Sequence, residues 1–214
     1  MRKPDWLKVP LPNSREFAEV RGLLARLDLH SVCQEARCPN MGECFRAGTA
    51  TFLILGNTCT RNCRYCNVAH GRPAPVDEAE PERLVEAVRA MGLRYIVITS
   101  VTRDDLPDGG AVLFARCVEL LRKEMPDCKV EVLIPDLQGN WAALERVLAA
   151  GPHVLNHNVE VASRLFGELR PRGDYALSLE LLRRTAADRG KTITKSGFMV
   201  GLGETRGEIL SLLD

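Results

Sequence analysis

The chain has no apolar run approaching the roughly 18 residues that a bilayer span requires, which argues against a membrane partner. It also lacks an excess of charge of either sign. Lys and Arg total 29 and Asp and Glu total 28, a formal net charge of +1, so there is no electrostatic footprint for nucleic acid. The opening MRKPDWLKVP contains no apolar stretch that could serve as a signal peptide. Cysteine is too sparse for a small secreted disulfide scaffold, at eight in 214 residues. A reducing, cytoplasmic setting is the expectation. What the chain does have is 45% hydrophobic residues, enough at this length to bury a core without disulfide staples, most simply as one domain.

The apolar residues follow a repeating order. After VPLPN, Asn13 is placed to cap a helix with Glu16 reaching back, and Phe17, Val20, Leu24 and Leu27 form its apolar face. ATFLIL, residues 50–55, is short, apolar and β-prone. PERLVEAVRAMG then opens with Pro81, sets Leu84, Val85, Val88 and Met91 on one face and stops at Gly92, after which YIVITS reads as a buried strand. The unit recurs. A helix over about residues 111–124 precedes KVEVLIP, and a helix with Trp141, Leu144 and Leu148 inward precedes HVLNHNV. A helix around ALSLELLRRTAADRG precedes TITKSGFMV. Apolar strands alternating with amphipathic helices imply an α/β fold, with five visible parallel strands covered by helices through right-handed crossovers.

Such folds collect ligands at the carboxyl ends of their strands. CTRNCRYC follows strand one, TSVTRDD ends strand two, NHNVE ends strand four and GLGET ends strand five, so these motifs are expected to share one site. Three thiols spaced CxxxCxxC, those of Cys59, Cys63 and Cys66, can wrap three corners of an iron–sulfur cube and leave the fourth iron without a protein ligand. A second trio, Cys33, Cys38 and Cys44, lies just upstream. Structural zinc is the competing reading, although it normally pairs CxxC units and completes four ligands, which neither trio does unaided. Cys117, on an expected helix face, and Cys128, beside a strand, read as buried and inert. His153 and His157 read as ordinary strand residues.

CTRNCRYC, with the aromatic Tyr65 before its last cysteine, is similar to the signature of the radical S-adenosylmethionine superfamily. CQEARCPNMGEC, spaced CxxxxCxxxxxC, resembles the further signature of the lipoyl synthase branch. TSVTRDDLPDGG, NHNVE and TKSGFMVGLGET resemble segments of that family in the same order, and the likeness runs from about residue 12 to the end. It implies a partial (β/α)6-type barrel over residues 49–214, preceded by a helical, cysteine-rich N-terminal extension over residues 1–48 that carries ligands of an auxiliary iron–sulfur cluster. It also implies the reaction: two sulfur atoms enter at C6 and C8 of an octanoyl chain held on a lysine of a carrier protein, forming the lipoyl cofactor. Acid–base and ordinary nucleophilic chemistry cannot open such C–H bonds. The cofactors must supply the reactivity, and the protein the placement.

By this resemblance Cys59, Cys63 and Cys66 hold a 4Fe-4S cluster whose open iron chelates S-adenosylmethionine, and one-electron cleavage yields the 5′-deoxyadenosyl radical that abstracts hydrogen. Cys33, Cys38 and Cys44 hold a second 4Fe-4S cluster, consumed as sulfur donor, whose fourth ligand in the family is a serine near the C-terminus. Asn158 and Glu160 carry over as ribose partners, and Arg170 or Arg172 as the cation for the methionine carboxylate, to which a guanidinium fork is suited. Gly201, Gly203 and Glu204 would let backbone approach the adenine, and Tyr65, Thr99, Ser100, Arg103 and Asp104 are expected to line the pocket. The implied partners are an octanoylated lipoyl carrier domain and an electron donor such as a ferredoxin or flavodoxin.

Two features depart from the family pattern. Val161 follows NHNVE where a polar or small residue is more usual, and the chain ends at EILSLLD, inside the helix after strand five. The family's sixth strand and terminal serine segment are therefore expected to be missing. One rival reading is a sulfur-inserting enzyme of the biotin-forming kind, which does not place three cysteines ahead of its signature. A catalytically inactive iron–sulfur fragment or a zinc-stabilised interaction module is the other, separable by the charge-transfer colour of anaerobically isolated protein.

Overall fold

The computed structural model describes residue 4 and residues 14–46, 50–188 and 192–213. The first helix, α1 (Arg15–Arg26), is capped by Ser14, whose hydroxyl accepts the Phe17 N–H at 3.2 Å. The expected cap, Asn13, lies outside the described residues. Phe17, Val20, Leu23 and Leu24 are buried along one face of α1, as the 3.6-residue period requires. Next come β1 (His30–Ser31), α2 (Val32–Glu35), α3 (Met41–Arg46) and β2 (Thr51–Ile54), with β1 and β2 antiparallel. A two-residue strand leaves no period in a sequence, so this edge is visible only in the fold. β3 (Thr58–Cys59) and β4 (Ala69–His70) form a separate two-stranded parallel pair.

The repeating part follows: α4 (Glu80–Ala90), β5 (Tyr95–Ser100), α5 (Ala111–Glu124), β6 (Lys129–Leu133), α6 (Trp141–Ala149) and β7 (Val154–Asn156). α7 (Ser163–Leu169), α8 (Tyr175–Ala187), β8 (Ile193–Lys195) and α9 (Arg206–Leu213) complete the order. Among the described residues the main sheet runs β1-β2-β5-β6-β7-β8, and every pairing after the first is parallel. Each parallel strand therefore lies beside its successor in the chain. A doubly wound sheet would reverse direction; this order is that of a (β/α) barrel.

Strand register decides which residues reach the core and which reach the site. Phe52, Ile98, Val132 and Leu155 are register partners across four strands and are at most 1% exposed. They share one continuous core with Leu84 of α4, Phe114 of α5 and Leu144 of α6. The next row, Leu53, Thr99, Leu133, Asn156 and Lys195, is one residue further along and so projects from the other face. Three of those five line the cavity described below.

Helix starts follow local chemistry. Asn140 caps α6 by accepting the Ala143 N–H at 3.1 Å, and Asp174 caps α8 by accepting that of Leu177 at 3.0 Å. Pro81 occupies the first turn of α4. At α5 the capping position is Gly110, with φ of 91°, and a Cβ there would stand 2.2 Å from Leu55 Cδ1. The N-terminal segment is not separately cored. Leu24 and Phe45 are buried in the same cluster as the barrel strands, and the Phe17 and Phe45 rings lie 5.5 Å apart. The division at residues 48 and 49 lies outside the described residues.

Candidate active site at the strand ends

A cavity of about 250 Å³ opens beside the ends of β5, β6 and β7. Cys59, Cys63, Cys66 and Tyr65 line it, as do Thr99, Ser100, Asn158, Glu160 and Arg170. Its apolar walls include Leu53, Val68, Val101, Leu133 and Ile134, and Val32, the neighbour of Cys33, lines it as well. The local fold explains the gathering. The cysteine loop leaves β2 and is closed at its base where Thr58 and Cys59 of β3 pair with Ala69 and His70 of β4. Two backbone N–H groups, from Arg61 at 3.4 Å and Thr102 at 3.3 Å, converge on Cys59 Sγ. Hydrogen bonds to ligand sulfur are among the influences that set the potential of an iron–sulfur cluster.

The thiols lie near one another. Burial pushes the Cys63 thiol up from its ordinary value, against the Tyr65 hydroxyl and Arg170, and with help from Cys66 and Cys59. Burial likewise raises Cys66, and it raises Cys33, where Cys38 and Cys44 add to the effect and the Thr51 backbone opposes it. Among the described residues no group of three or more His, Cys, Asp or Glu side chains is placed to hold a metal ion.

On the other wall Glu160 sits in the left-handed region at φ 69°, a strained conformation for a non-glycine residue that is characteristic of functional positions. It is held there by its N–H to the Gly197 carbonyl at 3.1 Å and by the Met199 N–H to its own carbonyl at 2.7 Å. Burial raises the Glu160 carboxyl, while Arg170 and the Asn158 side chain pull it down. A Cβ on Gly197 would meet Asn158 Oδ1 at 3.0 Å, so the glycine lets that amide pass close. Burial also raises the Tyr65 phenol, with Glu160 and Cys63 adding to it.

The two candidate arginines separate cleanly. Arg170, at the end of α7, is buried, stacks 5.4 Å from the centroid of Phe166 and donates to the Asn158 carbonyl at 3.4 Å. Arg172 is exposed and instead braces the cysteine loop, donating to the Thr60 carbonyl at 2.8 Å. Arg103 does not line the cavity; it is buried, paired with Asp105 and bonded to the Leu55 carbonyl at 3.2 Å. Asp104 also lies off the cavity, paired with Arg61 at 2.8 Å. Gly201, Gly203 and Glu204 form an exposed loop away from it, in which the Glu204 carboxylate accepts the N–H groups of Gly201 and Leu202. Val161, the apparent departure, is 1% exposed and packs with Leu165 and Phe166, so an apolar residue suits that position. Cys117 and Cys128 are buried as expected.

Two site residues escaped the sequence reading. His157 is buried in the cavity wall, its Nδ1 donating to the Ile134 carbonyl at 2.9 Å. That bond assigns the proton to Nδ1 and leaves Nε2 as a buried acceptor without a protein partner. Burial lowers its pKa to about 4, so the ring is neutral at pH 7. Ser100 Oγ, also at the cavity, is likewise buried and unpartnered. Buried polar atoms without a protein partner call for an ordered water or a ligand, and the polar groups lining the cavity fit a ligand with hydroxyl, amino and carboxylate groups. The second missed residue is Arg61, inside the cysteine motif itself. The pattern CxxxCxxC directs attention to its cysteines and away from the residues between them.

Strand order and cysteine loop together define a radical S-adenosylmethionine fold. Residues 53–214 match the family model described as the Radical SAM superfamily, and residues 1–38 match that of the N-terminal domain of lipoyl synthase. The chain is 55% identical to a lipoyl synthase of Chloroflexus aurantiacus, across 100% of this chain and 70% of that protein. It is 55% identical to the lipoyl synthase of Roseiflexus sp. (strain RS-1) and 54% identical to that of Nitratidesulfovibrio vulgaris, in each case over 71% of the relative. Methylornithine synthase superposes with a TM-score of 0.56 at 15% identity, over 91% of this chain and 58% of that one, a likeness of fold alone. The chain belongs to the lipoyl synthase family.

Proposed function

We propose that the chain performs the lipoyl synthase reaction with two clusters. Cys59, Cys63 and Cys66 hold the 4Fe-4S cluster that binds S-adenosylmethionine, and Cys33, Cys38 and Cys44 hold a second one that donates sulfur. The observation that supports this most is that the first trio shares one cavity with Asn158, Glu160 and Arg170, while Val32 brings the segment of the second trio to the same space. When bound, the cofactor and a reduced cluster supply a carbon radical able to take hydrogen from an unactivated C–H bond.

The protein's own residues bind and exclude. Arg170 offers a planar cation to the methionine carboxylate, and the Asn158–Glu160 pair accepts and orients the ribose hydroxyls. Leu53, Val68, Val101 and Leu133 give an apolar wall suited to an alkyl chain and keep water from the reacting carbon. The partners are an octanoylated carrier domain and a cytoplasmic electron donor such as a ferredoxin or flavodoxin. No helix among the described residues is long and apolar enough to cross a membrane. The test is a pair of variants assayed anaerobically on an octanoylated carrier. Cys59→Ala should abolish formation of 5′-deoxyadenosine, whereas Cys33→Ala should leave some and lose lipoyl product; equal loss in both would end the division of labour.

A further inference from the structure

Between Cys59 and Cys63, Arg61 is 6% exposed and its guanidinium makes four hydrogen bonds to two carboxylates from different strand ends. Nε and Nη2 donate to Asp104, after β5, each at 2.8 Å. Nη1 and Nη2 donate to Asp136, after β6, at 2.5 and 2.8 Å. The same loop is fastened at its start. Leu55, at φ 68°, donates its N–H to the buried Glu80 carboxylate at 2.9 Å, and its carbonyl accepts from the Arg103 guanidinium at 3.2 Å. Thr60 adds an N–H to the Thr102 carbonyl at 3.0 Å, and its hydroxyl accepts the Asp104 N–H at 3.1 Å.

We propose that Arg61 is the positioning residue of the cysteine loop: its double clamp sets the loop over the ends of β5 and β6 before any cluster is present. This rests on assigning Cys59, Cys63 and Cys66 to the cluster. Only a guanidinium can satisfy both carboxylates at once, because its planar fork presents parallel donor pairs on two edges. A lysine keeps the charge and loses the geometry. The clamp has a second effect. Because Arg61 takes the short bonds to Asp136, Arg170 pairs with that carboxylate only at 3.7 Å while it lines the cavity. A loop placed in advance does not have to be ordered when the metal binds, which raises metal retention without any added ligand.

The experiment compares Arg61→Lys with the milder Asp104→Asn in the full chain, using hydrogen exchange on the metal-free protein and iron release to a chelator after anaerobic reconstitution. In Arg61→Lys the amides of Thr60, Arg61 and Arg64 should exchange at least about tenfold faster while those of Ile98 and Val132 in the sheet hold. Iron should be lost about tenfold faster, with Asp104→Asn intermediate in both. Unchanged loop exchange in both variants would overturn the proposal. So would an equal rise across the whole sheet, which would make Arg61 a general stability residue. The exchange measurement needs no metal, so its failure is separable from failure of the cluster assignment, which would appear as a full iron complement in Cys63→Ala.

Discussion

Replacing Arg170 with Met tests the cofactor site most directly, because it removes the cation and keeps most of the buried stem. The structural cost is appreciable, because Arg170 is buried among charged partners. Asp136 keeps its two bonds to Arg61 at 2.5 and 2.8 Å, and the losses are the 3.7 Å ion pair to Asp136, a 3.4 Å contact to the Asn158 carbonyl, the stacking on Phe166 and the positive charge that pulls the buried Glu160 carboxyl down. That stacking, between two buried groups, is worth about 2 kcal/mol of stability. A lost charge-assisted fork to a carboxylate ligand costs about 1.5–3 kcal/mol of binding, or roughly a tenfold to hundredfold weaker complex. Arg172→Met is the control, since Arg172 is exposed and touches only the loop backbone and Asp104. Anaerobic titration of reconstituted protein with S-adenosylmethionine, at a temperature where circular dichroism shows both variants folded, should therefore show a large loss for Arg170→Met and little for Arg172→Met. The reverse order of affinities would refute the assignment of the carboxylate to Arg170.

Other outcomes follow from the core and from the thiols. Ile98→Ala empties a fully buried position in the row that joins β2, β5, β6 and β7, and should cost about 2–5 kcal/mol in chemical denaturation; under about 1 kcal/mol would mean the sheet repacks around it. Burial raises the thiols of Cys33, Cys63 and Cys66, so metal binding must displace protons. The apparent affinity of the apoprotein for cobalt(II), read from its thiolate absorption, should rise between about pH 6.5 and about pH 8.5. A flat profile would mean that thiolates are already present.

The alternation of strands and helices was legible in the chain because each element buries one face, and burial imposes a period. Ile96 and Ile98 with Val130 and Val132 announce two strands, and Leu113, Phe114, Cys117, Val118 and Leu121 announce α5, whose limits match the expected 111–124. The cysteine trios were equally plain, since metal-ligand spacing is a local property of sequence. The short pieces were not. β1, β3 and β4 are two residues each and α7 is seven, too few to establish a period, although α7 presents Arg170 to the cavity. The choice between Arg170 and Arg172 was beyond sequence for a physical reason: two residues apart on either side of Pro171, they differ only in which way the chain turns after α7. The clamp on Arg61 joins positions 43 and 75 residues away, and the acceptor at His157 depends on a carbonyl 23 residues away. Spacing along the chain determined which groups could bind a cluster; only the tertiary fold, by juxtaposing strand ends, decided which charges face the cavity and which hold its loop in place.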